Sequence, residues 1–233
     1  MAVPATLTAV EVVVVGEVFV DHVFSGFDAW PGPGEEALAR HYHRELGGGT
    51  INTACGLARL GRRVGLVGAI GEHDRDFFAQ RLAGFGLSAD GLAGAAAGTG
   101  VTASVSLRED RSFFTYPGAN AGLEDLLRGE AAIAAMRAAR HVHFAMPLSA
   151  ALARTLLPVL ADAGCGTSLD VGFNPAWLAD PANHATCRAV DWFLPNQKEA
   201  ALAGCGDGAA ACRDWARALG LRQVAIKLGG DGA

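Results

Sequence analysis

Short runs of apolar residues alternate with amphipathic stretches along most of the chain. The runs are rich in Val, Leu and Phe, which is typical of strands buried on both faces, and they lie at residues 11–15, 64–70, 141–145, 168–171, 192–194 and 223–227. Stretches with apolar residues three and four apart follow most of them and predict helices over residues 51–60, 77–83, 123–139, 150–163 and 209–219. Repeated strand–helix units predict an α/β fold with a mainly parallel sheet and helices on both of its faces.

A different pattern occupies residues 101–107, where apolar and polar residues strictly alternate. This period of two predicts a strand with one solvated face. That face carries Thr102, Ser104 and Ser106. A polar turn at 109–111 and a second extended run at 112–116 complete a hairpin. Because an isolated hairpin is not stable in water, we expect it to pair with the extended residues 17–23 in a small sheet outside the main one.

The composition of the 233-residue chain is that of a folded protein, with 51% apolar and 18% charged residues. The net charge is −5 and no block of Lys and Arg occurs, so nucleic acid is not expected as a partner. No apolar run approaches the roughly 18 residues of a membrane span, and residues 1–10 lack the Lys or Arg of a signal peptide. With five cysteines and no CxxC pair, we expect reduced thiols and a cytoplasmic protein.

The first candidate site combines glycines with an amide and a carboxylate. Gly48 and Gly49 precede a predicted helix whose first turn carries Asn52. Glycines let the backbone approach a ligand closely, a helix start offers free N–H groups, and an amide both donates to and accepts from hydroxyl groups. With Asp21, whose carboxylate can accept from two adjacent hydroxyls, the segment suits a sugar. A glycine-rich turn with Asn52 as a local cap, and Asp21 as a solvated loop residue, is the alternative.

Two further segments follow predicted strands and suit phosphate or metal. Asn196 and Glu199 are three residues apart, share one face of a first helical turn, and can hold magnesium-bound water and a phosphate. The same pair also fits a capping box, and the two roles are compatible. Lys227 is followed by glycines at 229, 230 and 232, a turn that permits close approach of a nucleotide.

Several common signatures are absent from the sequence. It contains no GxxxxGK[ST] phosphate loop, no GxGxxG dinucleotide fingerprint and no GxSxG nucleophile elbow. The HxH pairs at 41–43 and 141–143 lack further ligands at a usable spacing, so they indicate strand alternation rather than a metal site.

The order of the motifs that are present resembles the ribokinase or PfkB family of carbohydrate kinases across nearly the whole chain. The matching pieces, in chain order, are 15–17 with Asp21, 33–35, 47–54 with 57–61, 67–71, 99–102, 118–120, 169–171, Asn196 with Glu199, and 227–229 with Gly232. Each piece is short, and their shared order and spacing carry the resemblance.

This resemblance implies a ribokinase-like fold, a single doubly wound α/β domain over residues 1–233 with a small β-sheet lid formed by about residues 17–45 and 99–117. In such kinases the sugar hydroxyls are bound at the positions of Asp21, Gly48, Gly49 and Asn52. The nucleotide and its phosphates lie along the positions of Asn196, Glu199, Lys227, Gly229 and Gly232. The resemblance further implies ATP and Mg²⁺ as cofactors, with Glu199 supporting the metal through water, a small sugar as substrate, and pairing of lids into a homodimer.

The chain departs from the family pattern at positions near the sugar. Thr50 replaces the small residue of the commonest glycine loop. Residues 170–175 resemble the DxNxRP element of some members, but they carry Gly172 for its Asn and Asn174 for its Arg. Without that Arg, a carboxylate-bearing sugar loses its counter-ion, so a neutral sugar is favoured.

The largest departure concerns the catalytic base. In the family a GAGD element follows the glycine turn by some tens of residues; its amides bind the transferred phosphoryl group and its Asp deprotonates the sugar hydroxyl. No such element follows Gly232 in these 233 residues, so the resemblance implies a base beyond Ala233. Residues 204–207 spell Gly-Cys-Gly-Asp, but they follow the helix that Asn196 begins, and we interpret them as a surface loop.

The implied function is therefore ATP-dependent phosphorylation of a hydroxymethyl group on a small neutral sugar, with no activity expected of these residues alone. Two alternatives stay open. One is a non-catalytic sugar-binding or regulatory remnant of a sugar kinase, and the other is a nucleoside kinase of the same family.

Overall fold

Strands in two sheets form the framework of the computed structural model, which describes residues 10–107 and 110–233. In chain order they are β1 (Val12–Gly16), β2 (Phe19–Ser25), β3 (His41–Gly47), β4 (Val64–Gly71), β5 (Leu92–Ala95), β6 (Gly100–Leu107), β7 (Asp110–Tyr116), β8 (His141–Ala145), β9 (Gly166–Asp170), β10 (Trp192–Phe193) and β11 (Gln223–Val224). Residues 1–9, for which no signal peptide is expected, and Glu109, which is predicted to lie in a turn, are outside the described residues.

Helices connect most of these strands. They are α1 (Gly49–Arg59), α2 (Arg75–Ala83), α3 (Leu123–Leu127), α4 (Glu130–Arg137), α5 (Ala150–Asp162), α6 (Pro175–Ala179), α7 (His184–Ala189), α8 (Gln197–Leu202) and α9 (Gly208–Leu219). Within the described part of the chain, none of them is long and apolar enough to cross a membrane.

The main sheet has seven strands, all parallel, in the order β11-β10-β9-β8-β1-β4-β5. Strand β1 lies inside it, so its side chains meet a hydrophobic core on each face. Val13 and Val15 pack into the core that contains Phe144, whereas Val14 packs into the core that contains Ile51. The three valines are fully buried, which contributes roughly 1.5–3 kcal/mol each. The parallel sheet with helices on both faces, predicted from the apolar runs, is confirmed.

The second sheet is the lid, with four strands in the order β3-β2-β6-β7. Strand β2 pairs with β6 in parallel, from Phe19 opposite Gly100 to Ser25 opposite Ser106. The other two pairings, β2 with β3 and β6 with β7, are antiparallel. The hairpin thus pairs with the extended residues after β1, as predicted, and does not join the main sheet.

The register gives the lid two chemically different faces. One row across the sheet joins Glu45, Asp21, Thr102 and Thr115 on a polar face. The neighbouring rows place aromatic side chains on the opposite face, which we call the aromatic face: Phe24, Tyr42, Phe114 and Tyr116. The expectation of a uniformly solvated polar face was wrong at Ser104, which is buried because it lies in the middle of a central lid strand.

Two polar contacts hold the lid to the main domain. The buried side chain of Asn120 clamps the segment between β1 and β2, since its Oδ1 accepts from the Val18 N–H at 2.9 Å and its Nδ2 donates to the Val18 carbonyl at 2.9 Å. At the other edge, Asp74 accepts from the Thr99 hydroxyl at 2.6 Å and pairs with Arg44 of β3. Buried polar groups satisfied in this way fix one relative placement of the two sheets.

Some local predictions differ from the structure. The helix predicted over residues 123–139 is two helices, α3 and α4. Gly129 interrupts it, because this residue adopts an extended conformation (φ −73°, ψ 142°) and is the N-cap of α4. Strands β3 and β5 and helices α6 and α7 had no predicted counterpart. The strand alternation proposed for the HxH pairs is confirmed, since each pair lies within one strand, β3 or β8. Asp74 is the N-cap residue of α2, but its side chain makes no hydrogen bond that caps the helix.

Candidate functional site

The carboxyl ends of the central strands bring the candidate groups to one edge of the main sheet. In the register of the sheet, Gly16, Ala145 and Asp170 stand side by side. Gly16 has φ 147°, and a Cβ there would overlap the Ala145 carbonyl, so only glycine allows this approach. The row Gly16–Ala145–Asp170 therefore connects the base of the lid with the strands that lead to Asn196 and Lys227.

The glycine loop lies at the lid side of this row. Gly48 has φ 91° and begins α1, and a Cβ there would come within 2.5 Å of the Glu17 carbonyl. Gly49 packs against Ala145. The Asp21 carboxylate lies directly over Gly47, where any side chain would collide with it. Burial raises the pKa of Asp21, so its ionised form lacks full compensation within the described residues.

Asn52 lies exposed on the first turn of α1, and its N–H donates to the Gly48 carbonyl at 3.1 Å. The cap position of α1 is Gly48, without a side-chain hydrogen bond, so the alternative of Asn52 as a local cap is wrong. The Thr50 hydroxyl is buried beside Gly16 and lacks a partner among the described residues. This departure from the family pattern therefore does not present its hydroxyl to solvent.

Asn196 and Glu199 form the capping box predicted as one of their two roles. The Glu199 N–H donates to Asn196 Oδ1 at 2.9 Å, and the Asn196 N–H donates to Glu199 Oε2 at 2.7 Å. The Asn196 amide also donates to Glu199 Oε1 at 2.6 Å. Glu199 is only 3% exposed, and this burial raises its pKa. The phosphate or metal role of the pair stays a prediction.

Lys227 joins this pair to the rest of the edge. It lies beside Asn196 in a parallel bridge, and its Nζ donates to Asp170 Oδ2 at 2.5 Å. The glycine turn follows at once, with φ 66° at Gly229 and 92° at Gly232 and open space beyond both. The structure thus brings Asn196, Glu199, Lys227 and Asp170 together, next to the glycine loop and Asp21.

Asp207 is not part of this group. It is exposed in the loop between α8 and α9, as the sequence predicts for residues 204–207. Glu17, by contrast, has no role predicted from the sequence beyond its place in the motif at 15–17. It follows β1 directly, its N–H donates to the Ala145 carbonyl at 3.3 Å, and burial raises its pKa. A carboxylate directly after a strand-ending glycine was the available signal.

A hydrogen-bonded group of His141, His143 and Ser168 lies behind Asp170 and was not predicted from the sequence. The Ser168 hydroxyl lies 2.8 Å from His143 Nδ1 and 2.7 Å from His141 Nε2. His143 is 6% exposed, and its Nε2 lacks a partner among the described residues. Burial lowers the pKa of His143 to about 4, against the opposing effect of Asp170. The fold therefore requires a neutral imidazole at this position.

We expect this requirement to appear as acid sensitivity. Because the pKa of His143 is depressed on folding, its contribution is complete above the unfolded value near 6.5 and is lost as pH falls toward 4. The loss amounts to about 3 kcal/mol of unfolding free energy by pH 4. Urea titrations of His143→Phe between pH 7 and 4 should give a flatter profile than the parent, and those of exposed His43→Phe should not. Equal slopes for the parent and His143→Phe would exclude this role.

The comparisons with known proteins agree with this architecture. The pfkB family carbohydrate kinase model matches residues 10–233. No curated protein matches the sequence. Among solved structures, a PfkB protein from Polaromonas sp. JS666 is 25% identical, with a TM-score of 0.75 over 96% of this chain and 78% of its own.

Two further structures resemble the fold at lower identity. Ribokinase from Arabidopsis thaliana, complexed with ribose and ATP, is 24% identical, with a TM-score of 0.78 over 95% of this chain and 73% of its own. Burkholderia thailandensis nucleoside kinase, in complex with inosine, is 18% identical, with a TM-score of 0.72 over 94% of this chain and 70% of its own. With the parallel sheet, the four-stranded lid and the family match over nearly the whole sequence, this chain belongs to the pfkB family of carbohydrate kinases.

Proposed function

We propose that the chain carries the sugar-binding and phosphate-binding groups of an ATP-dependent kinase that phosphorylates a hydroxymethyl group of a small neutral sugar. The row Gly16–Ala145–Asp170 is the observation that carries the proposal, because it sets the two candidate groups side by side on one edge. Phosphoryl transfer in line requires the acceptor hydroxyl and the γ-phosphate to be positioned next to each other. Family membership, and a solved ribokinase that holds ribose and ATP, support the same substrates.

On the sugar side, Asp21 accepts hydrogen bonds from two hydroxyls, and Asn52 donates to or accepts from a third. Gly48 and Gly49 let the sugar approach the start of α1 closely. Asn174 stands where the family pattern has Arg, so that position offers no positive charge to a sugar carboxylate, which supports a neutral sugar. Its Oδ1 instead accepts from the Trp177 N–H at 3.0 Å and caps α6.

On the phosphate side, the residues suit a hydrated Mg²⁺ better than a directly bound one. The Glu199 carboxylate is buried and already accepts two hydrogen bonds from Asn196, which leaves lone pairs for metal-bound water. A bound Mg²⁺ would neutralise phosphate charge. In this proposal the nucleotide is contacted by Lys227 and by the turn of Gly229 and Gly232. The 44% exposure of the Lys227 side chain and the open space at both glycines support this.

We expect residues 1–233, purified as such, to bind sugar but to show no sugar-dependent ADP release above background. A catalytic base must reach the attacking hydroxyl. Asp170 and Asp207 are the candidates for this role, and neither suits it. Asp170 is ion-paired with Lys227, and Asp207 is exposed in the loop after α8. The measurement is coupled ADP release over a panel of hexoses, pentoses and nucleosides.

The outcome of that panel also separates the alternatives. Turnover that Asp207→Asn abolishes would mean that the 204–207 loop supplies the base. Turnover that is insensitive to this change would mean that the family mechanism does not operate here. Calorimetric binding of nucleosides but not free sugars would favour the nucleoside kinase, for which the solved complex with inosine is the precedent. Sugar binding that persists without turnover, even when a GAGD-containing segment of a relative is added, would favour a non-catalytic sugar-binding protein.

We further propose that two copies pair through the aromatic face of the lid. On that face Tyr42, Phe114 and Tyr116 are 51%, 59% and 63% exposed, although aromatic rings gain most from burial. Sedimentation velocity should find a dimer that Phe114→Ser combined with Tyr116→Ser converts to monomer. Leu60→Ser, at the end of α1 and 76% exposed, is the matched control and should leave the dimer intact. A monomeric parent would refute the pairing.

A further inference from the structure

Two cysteine thiols meet beside α9, away from the edge that carries the candidate site. The Sγ atoms of Cys205 and Cys212 are 3.1 Å apart, and both residues are partly accessible to solvent. Cys205 lies in the loop after α8, and Cys212 lies in the second turn of α9. The remaining cysteines, Cys55, Cys165 and Cys187, are buried.

The surrounding contacts hold the two thiols close to each other without a covalent bond between them. The Cys205 N–H donates to the Ala200 carbonyl at 2.9 Å, which fixes the loop to the end of α8. One turn beyond Cys212, the Trp215 indole N–H donates to the Ala203 carbonyl at 2.9 Å, which fixes the same loop to α9. A disulfide bond is about 2.05 Å long, so closure requires the sulfur atoms to approach by roughly 1 Å.

We propose that Cys205 and Cys212 are an oxidation site, a dithiol that closes into a disulfide with a small-molecule disulfide such as oxidised glutathione as oxidant. One cysteine, as thiolate, attacks the oxidant and releases one reduced thiol, leaving a mixed disulfide. The second cysteine then attacks the mixed disulfide, forms the Cys205–Cys212 bond and releases another reduced thiol. Two electrons pass to the oxidant, and the two protons end on the released thiols. This chemistry is independent of any kinase activity.

A Cys205–Cys212 disulfide would link the loop after α8 covalently to α9 and thereby restrict the motion of α8. Cys205 donates to Cys212 in the reduced state, and burial, followed by this hydrogen bond, raises the pKa of Cys205 to about 11. The thiolate of Cys205 is therefore scarce at neutral pH, so uncatalysed closure is slow and proceeds faster in mildly alkaline buffer. Since the bond closes a short loop, it should raise the melting temperature by about 5 °C.

The test uses the whole polypeptide, incubated at pH 8.5 with oxidised glutathione, then alkylated in denaturant and digested with trypsin. Both cysteines fall in one tryptic peptide, residues 199–213, which lies between Lys198 and the bond after Arg213. The expected product is this peptide, unalkylated and lighter by two hydrogen atoms, while Cys55, Cys165 and Cys187 are alkylated. Differential scanning calorimetry of the oxidised protein should report the higher melting temperature.

Variants decide between closure and simple thiol modification. Cys205→Ser and Cys212→Ser, which preserve side-chain size, should each abolish both the mass change and the thermal shift, and the remaining thiol should retain glutathione. Cys55→Ser, at a buried cysteine, should leave closure unchanged. Recovery of peptide 199–213 from the parent with both thiols alkylated, with one or two glutathione adducts, or with either cysteine bonded to a different one, would overturn the proposal.

Discussion

Replacing Asp21 by alanine is expected to weaken sugar binding at least tenfold. The carboxylate lies over Gly47 on the polar face of the lid. In the proposed site it would accept hydrogen bonds from two hydroxyls of a bound sugar. Each charge-assisted hydrogen bond contributes about 1.5–3 kcal/mol, so the loss of both exceeds the 1.4 kcal/mol that corresponds to a factor of ten. Isothermal titration calorimetry of neutral pentoses and hexoses measures the effect directly.

Two companion variants make this experiment specific. Asp21→Asn keeps the shape but loses the charge, so its binding should be intermediate. Glu45→Gln alters a carboxylate that lies opposite Asp21 but is 3.6 Å from the Arg81 guanidinium, and it should bind nearly as the parent does. Because burial raises the pKa of Asp21, affinity should also decline as pH is lowered. Sugar affinity that is the same in the parent and in Asp21→Ala would show that another group holds the hydroxyls.

Replacing Asn120 by leucine should lower the free energy of unfolding by about 2–6 kcal/mol. Leucine matches the size of the side chain but leaves the N–H and carbonyl of Val18 without their partners in a buried position. Each unsatisfied buried group costs roughly 1–3 kcal/mol. Urea unfolding, followed by tryptophan fluorescence and circular dichroism, provides the measurement.

Asn120→Asp is the matched variant, because its carboxylate still accepts from the Val18 N–H but cannot donate to the carbonyl. It should be less stable than the parent and more stable than Asn120→Leu. If Asn120→Leu loses under 1 kcal/mol, the clamp does not hold the lid in place.

Local sequence patterns were sufficient to predict most of the main sheet. The short, continuous β-branched run that became β1 favours a buried strand, and the apolar spacing of three and four residues in the stretch that became α5 favours a helix. The pattern failed where tertiary context decides. The leucines before Gly129 and the Ala-rich residues after it continue a helical period, so the break between α3 and α4 leaves no periodic signal. The four residues of β5 are too few and too small to be distinguished from a loop.

The candidate site was likewise predictable from the sequence only in part. Glycines before a helix and the Asn196–Glu199 spacing are local features, so the loop and the capping box were predictable. The contacts that assemble the site are not local. Asn120 reaches Val18 across 102 positions, and Lys227 reaches Asp170 across 57 positions. The residue type at one end of such a pair does not predict its partner, because the two side chains come into contact only when the whole sheet has formed.

The clamp at Val18 and the Asp74–Thr99 contact have a consequence for protein engineering. Within residues 10–107 and 110–233, the chain passes between lid and main domain at four places, near residues 17–18, 48, 98–99 and 117. The two contacts lie at or beside those passages. A lid from another member could therefore be grafted as two cassettes, provided that the recipient's Asn120 and Asp74 meet a backbone like that of Val18 and a hydroxyl like that of Thr99. If the proposed sites are right, substrate preference would then become exchangeable separately from the half of the molecule that carries the proposed nucleotide site.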